Sequence, residues 1–283
     1  MAEIPKIPIL NEQASVIPGV KYTIAIASGK GGVGKSTVAV NLAIALIKEG
    51  YKVGLIDADI YGPSIPIMLG VSEKPIVTQI KGKNKLLPIV KYGLKLMSIG
   101  FLVDANEAVV WRGPMAASAL KQFITDVEWG ELDYLIYDMP PGTGDVQLTL
   151  TQTIPLTGAV IVTTPQDISI TDARKGAKMF QKVNVKPLGI IENMSYYTNT
   201  DGSKEYIFGQ GGGEKLSSEL KIKFLGEIAI NTQIRKGGDE GNPVVLRNPD
   251  SEESKRFVEI ARNLAETVKD NSEKNNVQPL IEL

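Results

Sequence analysis

The stretch YTIAIASGKGGVGKSTVAVNLAIALIKEG, residues 22–50, decides the fold of this 283-residue chain. Its first six residues are a short apolar run of β-prone residues, which predicts a strand over 22–27. Residues 36–49 have the length and the Ala/Leu content of a buried helix, and Gly50 is a suitable C-cap. A further apolar run, 52–56, predicts the next strand. Strand, loop, helix and strand within about 35 residues form a βαβ unit, so the sheet is expected to be parallel.

The loop between the first strand and the helix, GKGGVGKS over 29–36, fits the pattern G-x-x-x-x-G-K-[ST]. Its position between a strand and a helix separates it from a chance match on a Gly-rich turn. Glycines there let backbone N–H groups turn toward phosphate oxygens, and the helix start adds its positive end. We expect Lys35 to reach the β- and γ-phosphates of ATP, Ser36 to bind Mg²⁺ and Thr37 to contact the α-phosphate. The other residues of the predicted nucleotide loop are Gly29, Lys30, Gly31, Gly32, Val33 and Gly34.

The amino-acid composition indicates a globular protein and excludes several kinds of metal site. Hydrophobic residues make up 43% of the chain and charged residues 22%, as is ordinary for a globular protein with a buried core. The balance of 31 Lys and Arg against 32 Asp and Glu predicts no global attraction to nucleic acid or anionic lipid. Cys and His are both absent, which excludes disulfides and thiolate or imidazole metal sites. Oxygen ligands remain, and these suit Mg²⁺.

The chain is expected to form one α/β domain over residues 21–270, with a doubly wound, mostly parallel sheet flanked by helices. Residues 1–20 contain three prolines and no continuous apolar core, so they are predicted to be an extended arm and not a signal peptide. Residues 271–283 are predicted to be a loosely ordered tail. No apolar run approaches the roughly 20 residues that span a bilayer, so a cytoplasmic location without a membrane partner is expected.

Apolar runs predict the remaining elements. A β-hairpin is expected from 76–80 and 86–90, on either side of the charged turn KGKNK. The other predicted strands are 132–137, 159–163, 188–192 and 224–227. The other predicted helices are 116–127, 169–183, 213–220 and 251–269.

Three acidic residues follow predicted strands and are candidates for the metal and the attacking water. Asp138 ends the apolar run LDYLIYD, at the strand edge where doubly wound sheets bind ligands, which suits a carboxylate for Mg²⁺. Asp57 and Asp59 alternate after the strand that follows the helix, so both can face the phosphates. We expect Asp59 to position the water and keep Asp57 as the alternative. Either of the two can instead cap the turn before Gly62.

Lys30 is a second lysine within the loop. Its charge would stabilise negative charge that develops on transferred oxygens, which makes it a candidate catalytic residue beside Lys35. A solvated loop side chain is the alternative, and composition does not choose between them.

The loop GKGGVGKST, in which Lys30 precedes the usual lysine, resembles the deviant Walker A motif of the MinD/ParA/nitrogenase iron protein class. Within that class the chain is similar to the Mrp (ApbC-like) iron–sulfur cluster carrier ATPases. The resemblance covers about residues 22–264 and rests on these segments in one order: DADIYGPSIPIMLG (57–70), WRGPM (111–115), DYLIYDMPPGTGD (133–145), TTPQD (163–167), GIIENMSYY (189–197), FGQGGGEKL (208–216) and GDEGNPVV (238–245).

The resemblance implies a homodimer with two ATP sites near its interface, in which Lys30 reaches the γ-phosphate of the partner's nucleotide. It also implies that Asn193 contacts the adenine. Family members typically carry a Cys-x-x-Cys pair that holds an iron–sulfur cluster between subunits. This chain has Asn199 and Gly202 at those positions, and neither supplies a thiolate. The ATPase residues therefore carry over, whereas the cluster ligands do not.

Three functions remain to be compared. The first is an ATP-hydrolysing member of the carrier family that acts as a nucleotide switch for a cysteine-bearing client or carrier. The second is a nucleotide-dependent scaffold without turnover. The third is a positioning ATPase like MinD or ParA, which the tail does not favour because it is neither basic nor evidently amphipathic. A DNA-partitioning role needs a basic surface that a net charge of -1 does not suggest, so no nucleic-acid partner is expected.

Overall fold

The computed structural model describes residues 17–102 and 113–276. The predicted arm up to residue 16, the tail from residue 277 and part of the WRGPM segment lie outside the described residues. The strands are β1 (Val20–Ala27), β2 (Val53–Asp57), β3 (Ile76–Ile80), β4 (Lys83–Leu87), β5 (Ile89–Lys91), β6 (Leu94–Ser98), β7 (Leu132–Asp138), β8 (Gly158–Thr163), β9 (Pro187–Glu192), β10 (Tyr197–Thr198), β11 (Lys204–Glu205) and β12 (Phe224–Glu227). The helices are α1 (Lys35–Lys48), α2 (Ile65–Met68), α3 (Gly113–Thr125), α4 (Asp145–Thr153), α5 (Asp167–Lys182), α6 (Gly212–Leu220), α7 (Thr232–Asp239), α8 (Val244–Arg247) and α9 (Glu252–Asn276), with a 3-10 turn at Ile99–Leu102.

The main sheet has the strand order β12-β9-β8-β1-β7-β2-β6-β5 in the part of the chain that the structure describes. Its strand pairs are parallel apart from β5, which runs antiparallel to β6 at the edge. The strands at its centre are buried throughout or nearly so, as a parallel sheet covered on both faces requires. The predicted doubly wound, mostly parallel sheet is confirmed.

Helices cover both faces of the sheet. On one face α1, α8 and α9 pack together, with Leu42 and Phe257 fully buried between them and the strands. On the other face α3, α4, α5 and α6 bury Phe123 and Phe180. α1 is buried over most of its length because it lies between the sheet and α9, which agrees with its Ala- and Leu-rich sequence.

The parallel register brings the predicted acidic residues together. Asp57 at the end of β2 is the register partner of Asp138 at the end of β7, and Asp138 is also paired with Ile26 of β1. The glycine loop leaves β1 at this same edge. The carboxyl ends of β1, β2 and β7 therefore form the floor on which the site is built.

A β3–β4 hairpin is present, but its second strand is Lys83–Leu87 and not 86–90, because residues 89 and 90 belong to β5, which pairs with β6. Lys81 and Gly82 have φ values of 50° and 75°, so they form the two-residue turn with positive φ that matches the twist of a hairpin. The predicted five-residue turn was therefore too long.

Two helix ends also differ from the prediction. α3 ends at Thr125 and not at residue 127 because Glu128 and Asp126 form backbone hydrogen bonds with Leu86 of β4. α9 continues to Asn276, so the first six residues of the predicted loose tail are helical. Among the described residues, none of the helices has the length and hydropathy to cross a bilayer.

Candidate nucleotide-binding site

The glycine loop turns sharply between β1 and α1. Gly32 and Gly34 have φ values of 78° and 77°, in the left-handed region that side chains disfavour, and α1 begins directly afterwards at Lys35. Apart from the adjoining loop residues, no atom of the described residues lies within 4 Å of the place where a Cβ on Gly31 or Gly32 would stand. The loop borders a cavity of about 230 Å³ whose lining is Ser28, Lys30, Gly31, Gly32, Val33, Gly34, Lys35, Ser36, Thr37, Asp59, Ser64, Met68 and Pro141.

Gly29 has a different role from the later glycines. A Cβ at this position would lie 2.1 Å from the carbonyl carbon of Asp172 in α5, so a side chain cannot be placed there without moving the helix. Gly29 does not line the cavity. It is therefore the glycine that lets α5 pack against the start of the loop.

Lys35 is the centre of the polar cluster at the cavity floor. Its Nζ lies 2.7 Å from Asp138 Oδ1 and 3.4 Å from Asp59 Oδ2, and it donates a hydrogen bond to Ser36 Oγ at 3.2 Å. The Lys35 side chain is only 6% exposed. An ammonium this well buried needs the carboxylates, because an unpaired charge would carry a large desolvation cost. The structure thus brings together Lys35, Ser36, Asp59 and Asp138, four of the residues that the sequence singled out.

Asp138 is fully buried beneath the cavity and is not one of its lining residues. Burial raises the pKa of its carboxyl group, and the charge of Lys35 opposes that rise. Its second oxygen, Oδ2, has no hydrogen-bond partner within residues 17–102 and 113–276. A buried carboxylate oxygen without a partner, close to a hydroxyl, suits the oxygen shell of a hard cation.

The structure separates the environments of Asp57 and Asp59. Asp57 is fully buried and accepts hydrogen bonds from Ser98 Oγ at 3.0 Å and from the Ile65 and Asp59 backbone N–H groups, each at 3.3 Å. Burial, followed by the charge of Asp138, raises the pKa of Asp57 to about 8. Asp59 is 13% exposed and lines the cavity, whereas Asp57 does not. Asp57 thus holds the start of α2 in place, and Asp59 faces the cavity beside the glycine loop.

Lys30 lines the same cavity, and its Nζ donates a hydrogen bond to Gln166 Oε1 at 3.4 Å. Gln166 is the residue before α5 and belongs to the TTPQD segment. The sequence singled out that segment but gave this glutamine no partner.

Asn193 lies behind the loop and does not line the cavity. Its side-chain amide donates a hydrogen bond to the Val33 carbonyl at 2.8 Å, and its backbone N–H donates one to Thr163. The same amide nitrogen would be 2.3 Å from a Cβ on Gly34. Sequence reasoning missed this contact, and the position of Asn193 just after β9 was the one signal that it lies near the site.

Asn199 and Gly202, the positions where the resemblance would place a cysteine pair, lie at the tip of the β10–β11 hairpin. The Asn199 N–H donates to the Ser203 carbonyl at 2.9 Å, and the Gly202 N–H donates to the Asn199 carbonyl at 3.0 Å. Asn199 is half-buried and Gly202 is exposed, and the hairpin is fixed to the main sheet by the ion pair between Lys204 and Glu227 at 3.1 Å. Within residues 17–102 and 113–276, no three His, Cys, Asp or Glu side chains are grouped to hold a metal ion.

Comparison with known proteins decides the family. Residues 19–265 match the model of the ParA family described as NUBPL iron-transfer P-loop NTPase. The chain belongs to this family. An iron-sulfur cluster carrier protein of Synechocystis is 52% identical over 267 residues, which cover 93% of this chain and 75% of that protein. The carrier protein of Escherichia coli K12 is 54% identical over 253 residues, 89% of this chain and 67% of the relative.

Solved structures of similar proteins agree with this family. A nucleotide-binding protein of Archaeoglobus fulgidus in complex with ADP has a TM-score of 0.72 and 38% identity, covering 84% of this chain and 93% of its own. The cell division ATPase MinD of Pyrococcus furiosus has a TM-score of 0.64 at 22% identity, over 87% of this chain and 98% of its own. The second likeness is one of fold alone. This member of the iron–sulfur carrier family has the P-loop NTPase fold but no cysteine in its sequence.

Proposed function

We propose that this carrier-family protein binds and hydrolyses ATP with Mg²⁺, and that its nucleotide state controls contact with a cysteine-bearing iron–sulfur protein. The observation that carries the proposal is the buried Lys35 ammonium, held by Asp138 and Asp59 at the floor of the glycine-lined cavity. The ADP complex of the similar Archaeoglobus fulgidus protein supports the choice of an adenine nucleotide.

The residues of the loop have separate tasks in this proposal. Its backbone N–H groups surround the phosphates, and the Lys35 ammonium moves from Asp138 and Asp59 toward the β- and γ-phosphates. Thr37 contacts the α-phosphate. Lys30 leaves Gln166 and stabilises charge on the γ-phosphate of the partner subunit's nucleotide. Each of these motions exchanges one ionic or polar partner for another, so the cost of breaking the present contacts is offset.

Ser36 and Asp138 fit a magnesium site. The Ser36 hydroxyl lines the cavity, and the unpartnered Asp138 oxygen lies buried behind it. Two protein groups would be enough, because Mg²⁺ is usually bound through one or two protein groups together with substrate phosphates and water. The bound ion supplies neutralisation of the charge on the transferred phosphoryl group. Asp59 accepts a hydrogen bond from the attacking water and orients it, and Asp57 keeps the segment that carries Asp59 in position.

The ATPase test is turnover of the parent and of Lys35→Ala with and without Mg²⁺. We expect magnesium-dependent phosphate release by the parent and none above background by the variant. Lys269→Ala is the matched control, since Lys269 is an exposed lysine of α9 far from the loop in sequence. Nucleotide binding without lysine-dependent turnover in the parent would instead favour the scaffold, and absence of binding would refute both.

A homodimer is the second part of the proposal. Three large apolar side chains adjoin site residues in sequence and are strongly exposed: Tyr61 at 67%, Ile67 at 67% and Ile168 at 70%. Exposed apolar groups beside a binding cavity are typical of a surface that is covered in an assembly. Light scattering of the parent and of Ile67→Glu with ATP tests this step, with a dimer expected for the parent alone.

A cytoplasmic location belongs to the same proposal and is tested by cell fractionation.

The iron–sulfur cargo does not fit this chain by itself. Iron–sulfur clusters are held mainly by thiolates, and the 283 residues contain no cysteine. We therefore assign the cluster to a cysteine-bearing client or carrier that binds according to the nucleotide state. Anaerobic reconstitution with iron and sulfide, followed by iron counting, is expected to leave the purified chain without stable cluster. A stoichiometric stable cluster on this chain would contradict the assignment and leave the ATPase proposal intact.

A further inference from the structure

The segment over residues 74–95 has a charge unlike the rest of the chain. It contains six lysines and neither Asp nor Glu, whereas the whole chain has 31 basic and 32 acidic residues. The segment comprises the β3–β4 hairpin, β5 and the first two residues of β6. The hairpin forms a two-stranded sheet separate from the eight-stranded sheet among the described residues. A local basic surface therefore projects from a chain that is nearly neutral.

The two edges of this hairpin differ. On the β4 side, the Leu86 N–H donates to the Asp126 carbonyl at 2.8 Å and the Leu86 carbonyl accepts from the Glu128 N–H at 2.9 Å. On the other side, no described residue pairs with the outer edge of β3. Among the described residues, the backbone groups along that edge have no strand partner, so they can pair with another extended chain, as the groups of an edge strand generally do.

The side chains of the open strand are apolar and exposed. Ile76 is 68% exposed and Val77 is 62% exposed, although they point to opposite faces of the hairpin. Leu87, the cross-strand partner of Ile76, is 39% exposed and extends the apolar surface of one face. β3 contains no proline and no charged residue that would block pairing.

Lysines lie at the other end of the same face. Lys83 is the cross-strand partner of Ile80 and is exposed, as is Lys81 in the turn. Neither has a carboxylate within ion-pair distance in the described parts of the chain. The Lys85 ammonium, by contrast, is held by the Thr125 carbonyl at 2.6 Å. The face thus combines an apolar end with two ammonium groups that have no counter-charge among the described residues.

We propose that the outer edge of β3 binds an extended acidic segment of a partner protein, which adds to the hairpin as a third strand. Main-chain hydrogen bonds to β3 supply affinity, apolar side chains of the segment cover Ile76 and Leu87, and its carboxylates pair with Lys81 and Lys83. A second copy of this hairpin would bring like charges together. Nucleic acid and lipid lack the main-chain amides that pair with a strand edge.

The test uses three seven-residue peptides. The first alternates glutamate with valine, the second replaces each glutamate by lysine, and the third has proline at its centre so that strand pairing is broken. Binding is followed by titration calorimetry and by amide NMR shifts of the full chain. The glutamate peptide is expected to shift the amides of residues 76–80 and to bind about tenfold more tightly than either of the others.

Two variants separate this surface from the rest of the molecule. The double substitution Lys81→Glu and Lys83→Glu is expected to lower the affinity for the glutamate peptide about tenfold. Lys269→Glu in α9 is expected to change that affinity less than about twofold. Lys81 and Lys83 are exposed, so the fold and ATP turnover should remain as in the parent. The proposal is overturned by absence of shifts in β3 or by equal binding of the lysine or proline peptide. Lysine-dependent self-association or binding to anionic phosphatidylglycerol vesicles, without peptide binding, would also overturn it.

Discussion

The side-chain amide of Asn193 donates a hydrogen bond to the Val33 carbonyl across 160 residues of sequence, at 2.8 Å. Val33 belongs to the glycine loop, and Asn193 follows β9, which lies two strands from β1 in the sheet. Asn193 is only 7% exposed and its backbone N–H is held by Thr163. The loop is therefore fixed from behind by a side chain that is itself fixed by the sheet.

This contact predicts that Asn193→Ala weakens binding of the phosphates themselves. Without the amide, the buried Val33 carbonyl loses its partner and the loop becomes less well ordered, which costs about 1–3 kcal/mol. Calorimetry should show that the affinity for both ATP and inorganic tripolyphosphate falls roughly tenfold or more. If Asn193 acts on the adenine, as the family resemblance implies, ATP alone will lose affinity and tripolyphosphate will bind as in the parent. Thr198→Ala, on the exposed strand β10, is the control for a general loss of fold.

The ion pairs of Lys35 predict that Lys35→Ala lowers the free energy of unfolding of the protein as well as its ATP turnover. Lys35→Ala leaves Asp138 buried without its counter-charge, and breaking a buried pair in this way costs about 3–5 kcal/mol. Urea unfolding without nucleotide should show that loss in the free energy of unfolding. Adding Asp138→Asn to Lys35→Ala should restore part of the stability but no ATP turnover. A single variant as stable as the parent would mean that the pair contributes little to the fold.

The local patterns of the sequence were enough to predict the sheet and the loop. The pattern over 29–36 requires a strand before it and a helix after it, and both are present as β1 and α1. Apolar runs ending in an acid placed Asp57 and Asp138 at one edge of the sheet because parallel strands share that edge.

Local sequence patterns did not predict contacts between residues that are distant in sequence. The partner of Asn193 depends on the register of β9 with β8 and on the path of the loop, neither of which leaves a local signature. The extension of α9 to Asn276 was missed because its polar last turns lack the apolar period that marks a packed helix. The short turn at Lys81 was missed because a lysine with positive φ is uncommon.

The exposure of Asp59 and the burial of Asp57 predict different kinetic effects of their amide variants. Asp59→Asn removes the carboxylate that faces the cavity, so we expect kcat to fall about 100-fold or more while KM changes less than about threefold. Asp57→Asn keeps an acceptor for Ser98 and the Ile65 N–H, so kcat should fall less than about tenfold. Steady-state phosphate release measures both. If kcat fell more for Asp57→Asn than for Asp59→Asn, the role of positioning the attacking water would belong to Asp57, the alternative that the sequence left open.

The raised pKa of Asp57 predicts a particular dependence of stability on pH. Burial holds this pKa at about 8 in the folded protein, above the ordinary value of 3.8 that applies when the chain is unfolded. Between these values the folded protein binds more protons at Asp57 than the unfolded chain does. Its contribution to stability is therefore present below pH 4 and is lost progressively as the pH rises toward 8.

Asp57→Asn removes this titration, so the difference between parent and variant reports the titration of Asp57 together with its coupling to Asp138. Between pH 6 and pH 8, the free energy of unfolding of the parent should fall by on the order of 2 kcal/mol more than that of the variant. Urea unfolding at several pH values, without Mg²⁺ or nucleotide, measures the two slopes. Parallel curves would mean that the Ser98 and Ile65 hydrogen bonds keep Asp57 ionised in spite of its burial, and that its pKa is close to the ordinary value.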